Sequence, residues 1–233
     1  MGEEIRPDRR IFDSRAKLAK ALAEAVSRVL SGAIESRGEA FLAVSGGSTP
    51  GLFFAELSGM PLDWSKVTVT LIDERLVPAS SPRSNAALAM GKLLQGPAAA
   101  ARFVGLYQEA DSAEQAAKLA GEALQELPWP LDAAILGMGT DGHTASFFPD
   151  ADNLEALLDP DQKAVVLPVH AASAVEPRLT LTLATIVKAR FLGLHIEGVE
   201  KGAVLDRACN GEDLPIRAVL DQASRPVQIY WAE

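Results

Sequence analysis

Ala40-Phe41-Leu42-Ala43-Val44-Ser45-Gly46-Gly47-Ser48-Thr49-Pro50 is five apolar residues running into a glycine turn, with a proline where a helix can begin. A run so short and so uniformly apolar reads as a strand buried on both faces, and residues 52–57 continue as a helix. Strand, glycine turn and helix in that order form the repeating unit of an α/β fold, and the rest of the chain repeats it.

Upstream, Leu18, Leu22, Val26, Val29, Ala33 and Ile34 recur at three- and four-residue spacing. They predict an amphipathic helix over residues 14–35, capped by Asp13 or Ser14 and ended near Gly38. Downstream, strands are expected at residues 67–72, 103–106, 133–136, 165–169, 179–183, 191–196 and 227–231. Helices are expected at 86–94, 112–127 and 201–209. Short apolar strands alternating with helices imply an α/β class with a mostly parallel sheet covered on both faces. With 233 residues, no repeat and no linker, the chain reads as one domain spanning residues 1–233.

Composition removes several classes of function. The net charge of −9 argues against nucleic acid and anionic membranes, because both call for a broad basic surface. No apolar run reaches the length of a membrane span, and Met1-Gly2-Glu3-Glu4 does not open a secretory signal. Cys209 is the only cysteine, which excludes an internal disulfide and fits a reducing cytoplasm. An anionic substrate would need a local cluster of cations and backbone amides against this acidic background.

In open α/β sheets ligands bind beyond the carboxyl ends of the strands. Three segments fall there, after the strands ending at Val44, Ile72 and Leu136. In the first, Gly46 and Gly47 let backbone N–H groups approach an anion, while Ser48 and Thr49 add hydroxyls; the plain alternative is a capped strand-to-helix turn. The second is Asp73-Glu74-Arg75, with Arg83, Ser84 and Asn85 downstream. Arg75 there forks onto a phosphate or polarises a carbonyl, or else forms a surface ion pair. The third, Gly137-Met138-Gly139-Thr140-Asp141-Gly142-His143-Thr144-Ala145-Ser146, holds the sharpest candidate. The neutral imidazole of His143 can take a proton from water near neutral pH if a carboxylate, Asp141 or Glu74, fixes its tautomer. Arg178 and Lys201 are further candidate cations. His195, inside a strand, reads as structural, and no cysteine- or methionine-based metal site is expected.

Taken together these stretches, continuing through Phe147-Phe148-Pro149, Arg178-Leu179-Thr180-Leu181-Thr182 and Val199-Glu200-Lys201, resemble the glucosamine-6-phosphate isomerase/6-phosphogluconolactonase family along nearly the whole chain. The resemblance implies a Rossmann-like three-layer α/β/α sandwich. It implies hydrolysis of 6-phospho-D-glucono-1,5-lactone to 6-phospho-D-gluconate without a catalytic metal or cofactor, by a cytoplasmic monomer or small homo-oligomer. Carried over residue by residue, it makes Gly46, Gly47, Ser48 and Thr49 the phosphate loop, Arg75 the active-site arginine, His143 the catalytic histidine, and Arg178 and Lys201 basic residues near the substrate. One departure is visible. Ser173-Ala174-Val175-Glu176-Pro177 stands where many members carry a Ser-Pro-Lys-Pro-Pro-like stretch, so the family lysine is absent.

Two rivals share the pattern. A deaminase of the glucosamine-6-phosphate type typically reads Asp-Glu-Tyr in place of Asp73-Glu74-Arg75 and puts a glutamate soon after the histidine, where this chain has Ser146-Phe147-Phe148-Pro149. A non-catalytic sugar-phosphate sensor usually carries a DNA-binding module, and a sheet pattern starting after a single helix leaves no room for one.

Overall fold

The computed structural model describes residues 8–233, so the N-terminal stretch considered for a leader lies outside the described residues. The chain runs β1 (Asp8–Phe12), α1 (Arg15–Arg37), β2 (Ala40–Val44), α2 (Gly51–Ser58), β3 (Val67–Leu71), β4 (Asp73–Arg75) and α3 (Asn85–Lys92). It continues β5 (Arg102–Val104), α4 (Ala113–Gln125), β6 (Ala133–Leu136), α5 (Leu154–Leu158), β7 (Val166–Val169), β8 (Arg178–Leu181) and α6 (Leu183–Ile186). β9 (Phe191–Glu197), α7 (Val199–Cys209), α8 (Pro215–Gln222) and β10 (Gln228–Ala232) complete it.

Seven strands form a wholly parallel sheet in the order β1-β10-β9-β6-β2-β3-β5, with helices flanking it. Every residue of β2 and β6 is buried, as their unbroken apolar sequences require of central strands. α1 begins and ends on the expected signals: the Ser14 hydroxyl accepts from the Lys17 N–H, and the Gly38 N–H donates to the Ile34 carbonyl.

The order of strands positions the site. From β2 the sheet grows one way through β3 and β5, and the other way through β6, β9 and β10. The chain therefore changes direction between β2 and β6, and the turns that leave their carboxyl ends diverge to form a crevice. The Ser45 N–H donates to the Ile135 carbonyl at 3.0 Å, so the two glycine-rich turns start side by side.

Three expectations are corrected. Residues 73–75 are not a polar tail of the third strand. The chain bends at Ile72, and β4 joins a separate three-stranded antiparallel sheet, β4-β8-β7, that takes in the two strands expected at 165–169 and 179–183. The second of these stops at Leu181, because Leu183 opens a helix. The sheet also begins before the first helix. β1, Asp-Arg-Arg-Ile-Phe, is an edge strand exposed over most of its length, so its sequence lacks the apolar run of a central strand.

Candidate active site

A cavity of about 310 Å³ opens at the crevice. Its walls come from the turn after β2 (Ser45 to Pro50), from Asp73 and Arg75 of β4, from Asn85 at the start of α3, from the turn after β6 with His143, Thr144 and Phe148, and from Arg178, His195 and Lys201. The three segments predicted to meet do meet, together with both candidate cations.

His143 sits in a loop that folds back on itself: the Gly139 N–H donates to the His143 carbonyl at 2.8 Å, and the Thr144 hydroxyl donates to the Gly137 carbonyl at 2.7 Å. Asp141 Oδ1 lies 2.6 Å from His143 Nδ1 and also accepts the His143 backbone N–H at 3.1 Å. A carboxylate at Nδ1 assigns the proton there and leaves Nε2 with its lone pair, the tautomer a base requires. The imidazole rests against the Phe148 ring, centroids 4.6 Å apart, and Arg178 lies over that same ring at 5.5 Å.

The loop closes this tightly because residue 139 has no side chain. A Cβ there would fall 2.4 Å from His143 Nδ1 and Cε1 and 2.5 Å from Asp141 Oδ1. Gly139→Ala must therefore push the imidazole off its carboxylate. The expected result is a fall in kcat of about 10²-fold, with an unchanged far-ultraviolet circular dichroism spectrum. Unaltered turnover by the folded variant would show that this His–Asp geometry does not matter.

Glu74, the alternative to Asp141 as partner of the imidazole, is placed elsewhere. Its carboxylate is fully buried and accepts from the Ser84 hydroxyl (2.9 Å) and from the backbone N–H groups of Asn85 (2.7 Å), Ala86 (2.8 Å) and Arg75 (2.7 Å). It satisfies the first turn of α3, where unpaired N–H groups favour an acid. Burial nonetheless holds its carboxyl above the usual glutamate value, with the four donors offsetting part of that rise.

Helix α3 thus anchored presents Asn85, whose amide donates to the Asp73 carbonyl at 2.8 Å. Asp73 Oδ2 in turn accepts the buried Ser146 hydroxyl at 2.6 Å. Asn85 lies directly against the phosphate-loop candidate: a Cβ on Gly46 would fall 1.9 Å from its Oδ1. Gly46 is required there for close approach.

On the cationic wall, antiparallel pairing sets Arg75 opposite Arg178. Burial lowers the Arg178 pKa from its ordinary value; Asp73 and Glu176 counter the shift, while Arg75 and Arg83 add to it. Lys201 is likewise lowered by burial and supported by Glu197 and Glu200. The Ser45 hydroxyl and the Nε atoms of Arg75 and Arg178 are buried with no hydrogen-bond partner among the described residues. Three donors without partners, on the walls of one cavity, suit an oxyanion. Glu176, in the stretch lacking the family lysine, pairs with Arg83 at 2.7 Å, and the Arg83 carbonyl accepts from Arg75. The cations that line the cavity are therefore Arg75, Arg178 and Lys201.

His195, which its strand setting marks as structural, is indeed 3% exposed, yet it lines the cavity, with Nε2 3.2 Å from Glu197. The available signal was its place near the carboxyl end of a strand, two residues from an acid on the same face. His170 takes no part in this arrangement; it is exposed and paired with Glu114. Among the described residues no group of three or more His, Cys, Asp or Glu side chains could hold a metal ion, and no helix is long and apolar enough to cross a membrane.

Comparison with known proteins identifies the family and the fold. Residues 13–231 match the family described as glucosamine-6-phosphate isomerases/6-phosphogluconolactonase. A 6-phosphogluconolactonase of Mesorhizobium japonicum is 61% identical over 222 residues, covering 95% of this chain and 93% of its own. The crystal structure of a 6-phosphogluconolactonase from Shewanella baltica superimposes with a TM-score of 0.95 at 39% identity, over 100% of both chains. A monomeric glucosamine-6-phosphate deaminase shares the fold, with a TM-score of 0.73 at 18% identity over 97% of each chain.

Proposed function

The chain belongs to the glucosamine-6-phosphate isomerase/6-phosphogluconolactonase family, and from that premise we propose that it hydrolyses 6-phospho-D-glucono-1,5-lactone to 6-phospho-D-gluconate, the lactone-opening step of the oxidative pentose phosphate pathway. The observation that carries the reading is a single cavity with a carboxylate-oriented imidazole on one wall and Arg75, Arg178, Lys201 and a glycine turn on the others.

His143 Nε2 takes a proton from water as the water attacks the lactone carbonyl, and Asp141 stabilises the imidazolium that results. The carbonyl oxygen gains negative charge in that step. Arg75 and the backbone amides of the glycine turns supply positive partial charge for it. When the ring C–O bond breaks, the imidazolium returns its proton to the leaving alkoxide. The phosphate, remote from the bond that breaks, is gripped by the turn at residues 46–49 with Arg178 and Lys201. Charge-assisted hydrogen bonds there contribute about 1.5–3 kcal/mol each towards orienting the ring.

The residues just past the histidine favour the lactonase over the deaminase. Positions 146–149 supply a buried serine bonded to Asp73 and an aromatic wall against the imidazole, with no carboxylate to shuttle protons during ring opening. The purified protein is expected to open the phosphorylated lactone faster than the spontaneous reaction and to release no ammonia from glucosamine 6-phosphate. Ammonia release with lactone hydrolysis left at its spontaneous rate would reverse the assignment.

A further inference from the structure

Asn85 lines the cavity, is only 3% exposed, and is held from two sides by β4. Its backbone N–H donates to the Glu74 carboxylate at 2.7 Å. Its side-chain NH₂ donates to the Asp73 carbonyl at 2.8 Å, with Asp73 Oδ1 3.4 Å away. Asp73 is itself fixed by the buried Ser146 hydroxyl, 2.6 Å from Oδ2. These contacts decide which way round the amide sits. A backbone carbonyl only accepts, so the nitrogen must face Asp73 and the oxygen must turn away from it.

Oδ1 is thereby aimed at the turn after β2. A Cβ on Gly46 would meet it at 1.9 Å, against 2.8 Å for Nδ2. It accepts no hydrogen bond among the described residues, where the side-chain bonds of Asn85 all run through Nδ2. Unlike the Ser45 hydroxyl, it is not sealed from open space, and the space that Asn85 and Gly46 border together is the cavity.

A free acceptor is out of place on such a wall. Around it stand the Ser45 hydroxyl and the guanidinium groups of Arg75 and Arg178, donors that suit an anion. An amide oxygen repels a phosphate dianion and a developing oxyanion alike. It takes only a donor, and on a phosphorylated sugar lactone the donors are the ring hydroxyls. We propose that Asn85 is a specificity-determining residue whose Oδ1 accepts one ring hydroxyl of the substrate beside the phosphate turn. The inference rests on the phosphosugar reading above. It adds that the site selects a hydroxylated ring, where the cations and glycine turn alone would select any phosphorylated lactone.

The test compares kcat/KM for the phosphorylated lactone and for its 2-deoxy, 3-deoxy and 4-deoxy analogues. With the parent protein one analogue is expected to fall about tenfold, the effect of leaving a buried acceptor without its donor. Asn85→Leu keeps the volume and removes the acceptor. It should lose about tenfold on the full lactone yet open that same analogue no more slowly than the full lactone, because groups in contact couple. Asn85→Ser, which withdraws the acceptor from Gly46 but keeps a polar residue at the start of α3, carries the same comparison if the leucine variant does not fold. Equal rates on all four lactones by the parent, or a variant that loses the same factor on each of them, would overturn the proposal and leave Asn85 a structural residue. A parent that opens none of the four above the spontaneous rate would instead defeat the phosphosugar reading itself.

Discussion

Replacing His143 by Asn is expected to lower kcat by about 10²- to 10⁴-fold, the range that general-base catalysis supplies, while KM and the melting temperature stay close to the parent values. The side chain is 29% exposed and makes its one hydrogen bond, to Asp141, at the surface of a loop whose shape is fixed by backbone and Thr144 contacts. An asparagine can still donate to Asp141, so the loop keeps its partner and the carboxylate its neighbour. What disappears is the ring nitrogen proposed to take the proton from water. Measured against spontaneous ring opening, a variant as fast as the parent would remove the imidazole from the chemistry. Water would then need another base, and Asp141 is the carboxylate already bonded into that loop.

Glu74→Gln should have the largest effect on stability, about 3 kcal/mol, read from urea unfolding. The carboxylate offers its two oxygens to four donors, three of them backbone N–H groups. An amide has one acceptor oxygen, so in either orientation a backbone N–H is left facing an NH₂ group in a buried site. The first turn of α3 loses its anchor, and with it the seating of Asn85 against Gly46. The penalty should also depend on pH. Burial raises the folded-state pKa of Glu74 above its unfolded value. The parent therefore holds a stabilising increment that is complete below the unfolded value and is lost as pH climbs through the folded one. Glutamine cannot titrate. The difference between parent and variant should accordingly shrink from acidic pH towards neutrality. A variant as stable as the parent at every pH would show that these four hydrogen bonds contribute nothing net.

Much of this is legible in the residues because local signals and global fold agree. β2 and β6 are short unbroken apolar runs that lead into glycine turns, a pattern that fits a strand covered on both faces. Ser14, Ser84 and Ser112 each cap a helix with the side chain, as their type predicts. His143 stands out because glycines surround it, and at Gly139 the missing side chain is where its ring and Asp141 need room.

The rest is hidden for physical reasons. β1 is paired on one side only and largely exposed, so nothing selects for an apolar sequence there. β4 has three residues, too few for a periodicity, and its partner β8 lies about a hundred positions away. Glu74 is charged at a position with no surface at all. Only the folded arrangement reveals that it is spent on the N–H groups of α3, and spacing alone offers the imidazole as an equal claimant. The strand around His195 signals a buried ring, but burial beneath a cavity floor and burial in the core look alike in a strand.

The walls of the cavity come from stretches near residues 46, 73, 85, 143, 178, 195 and 201, joined through parallel strands whose crossovers enclose whole helices. Parallel pairings of this kind close large loops and so form late on the way from the disordered chain. The first helices and the β2–β3 pair can assemble from nearby sequence, yet none of them owns a complete half of the pocket. During refolding from denaturant, helical signal should return well ahead of turnover, and no amino-terminal fragment ending before β9 should be competent.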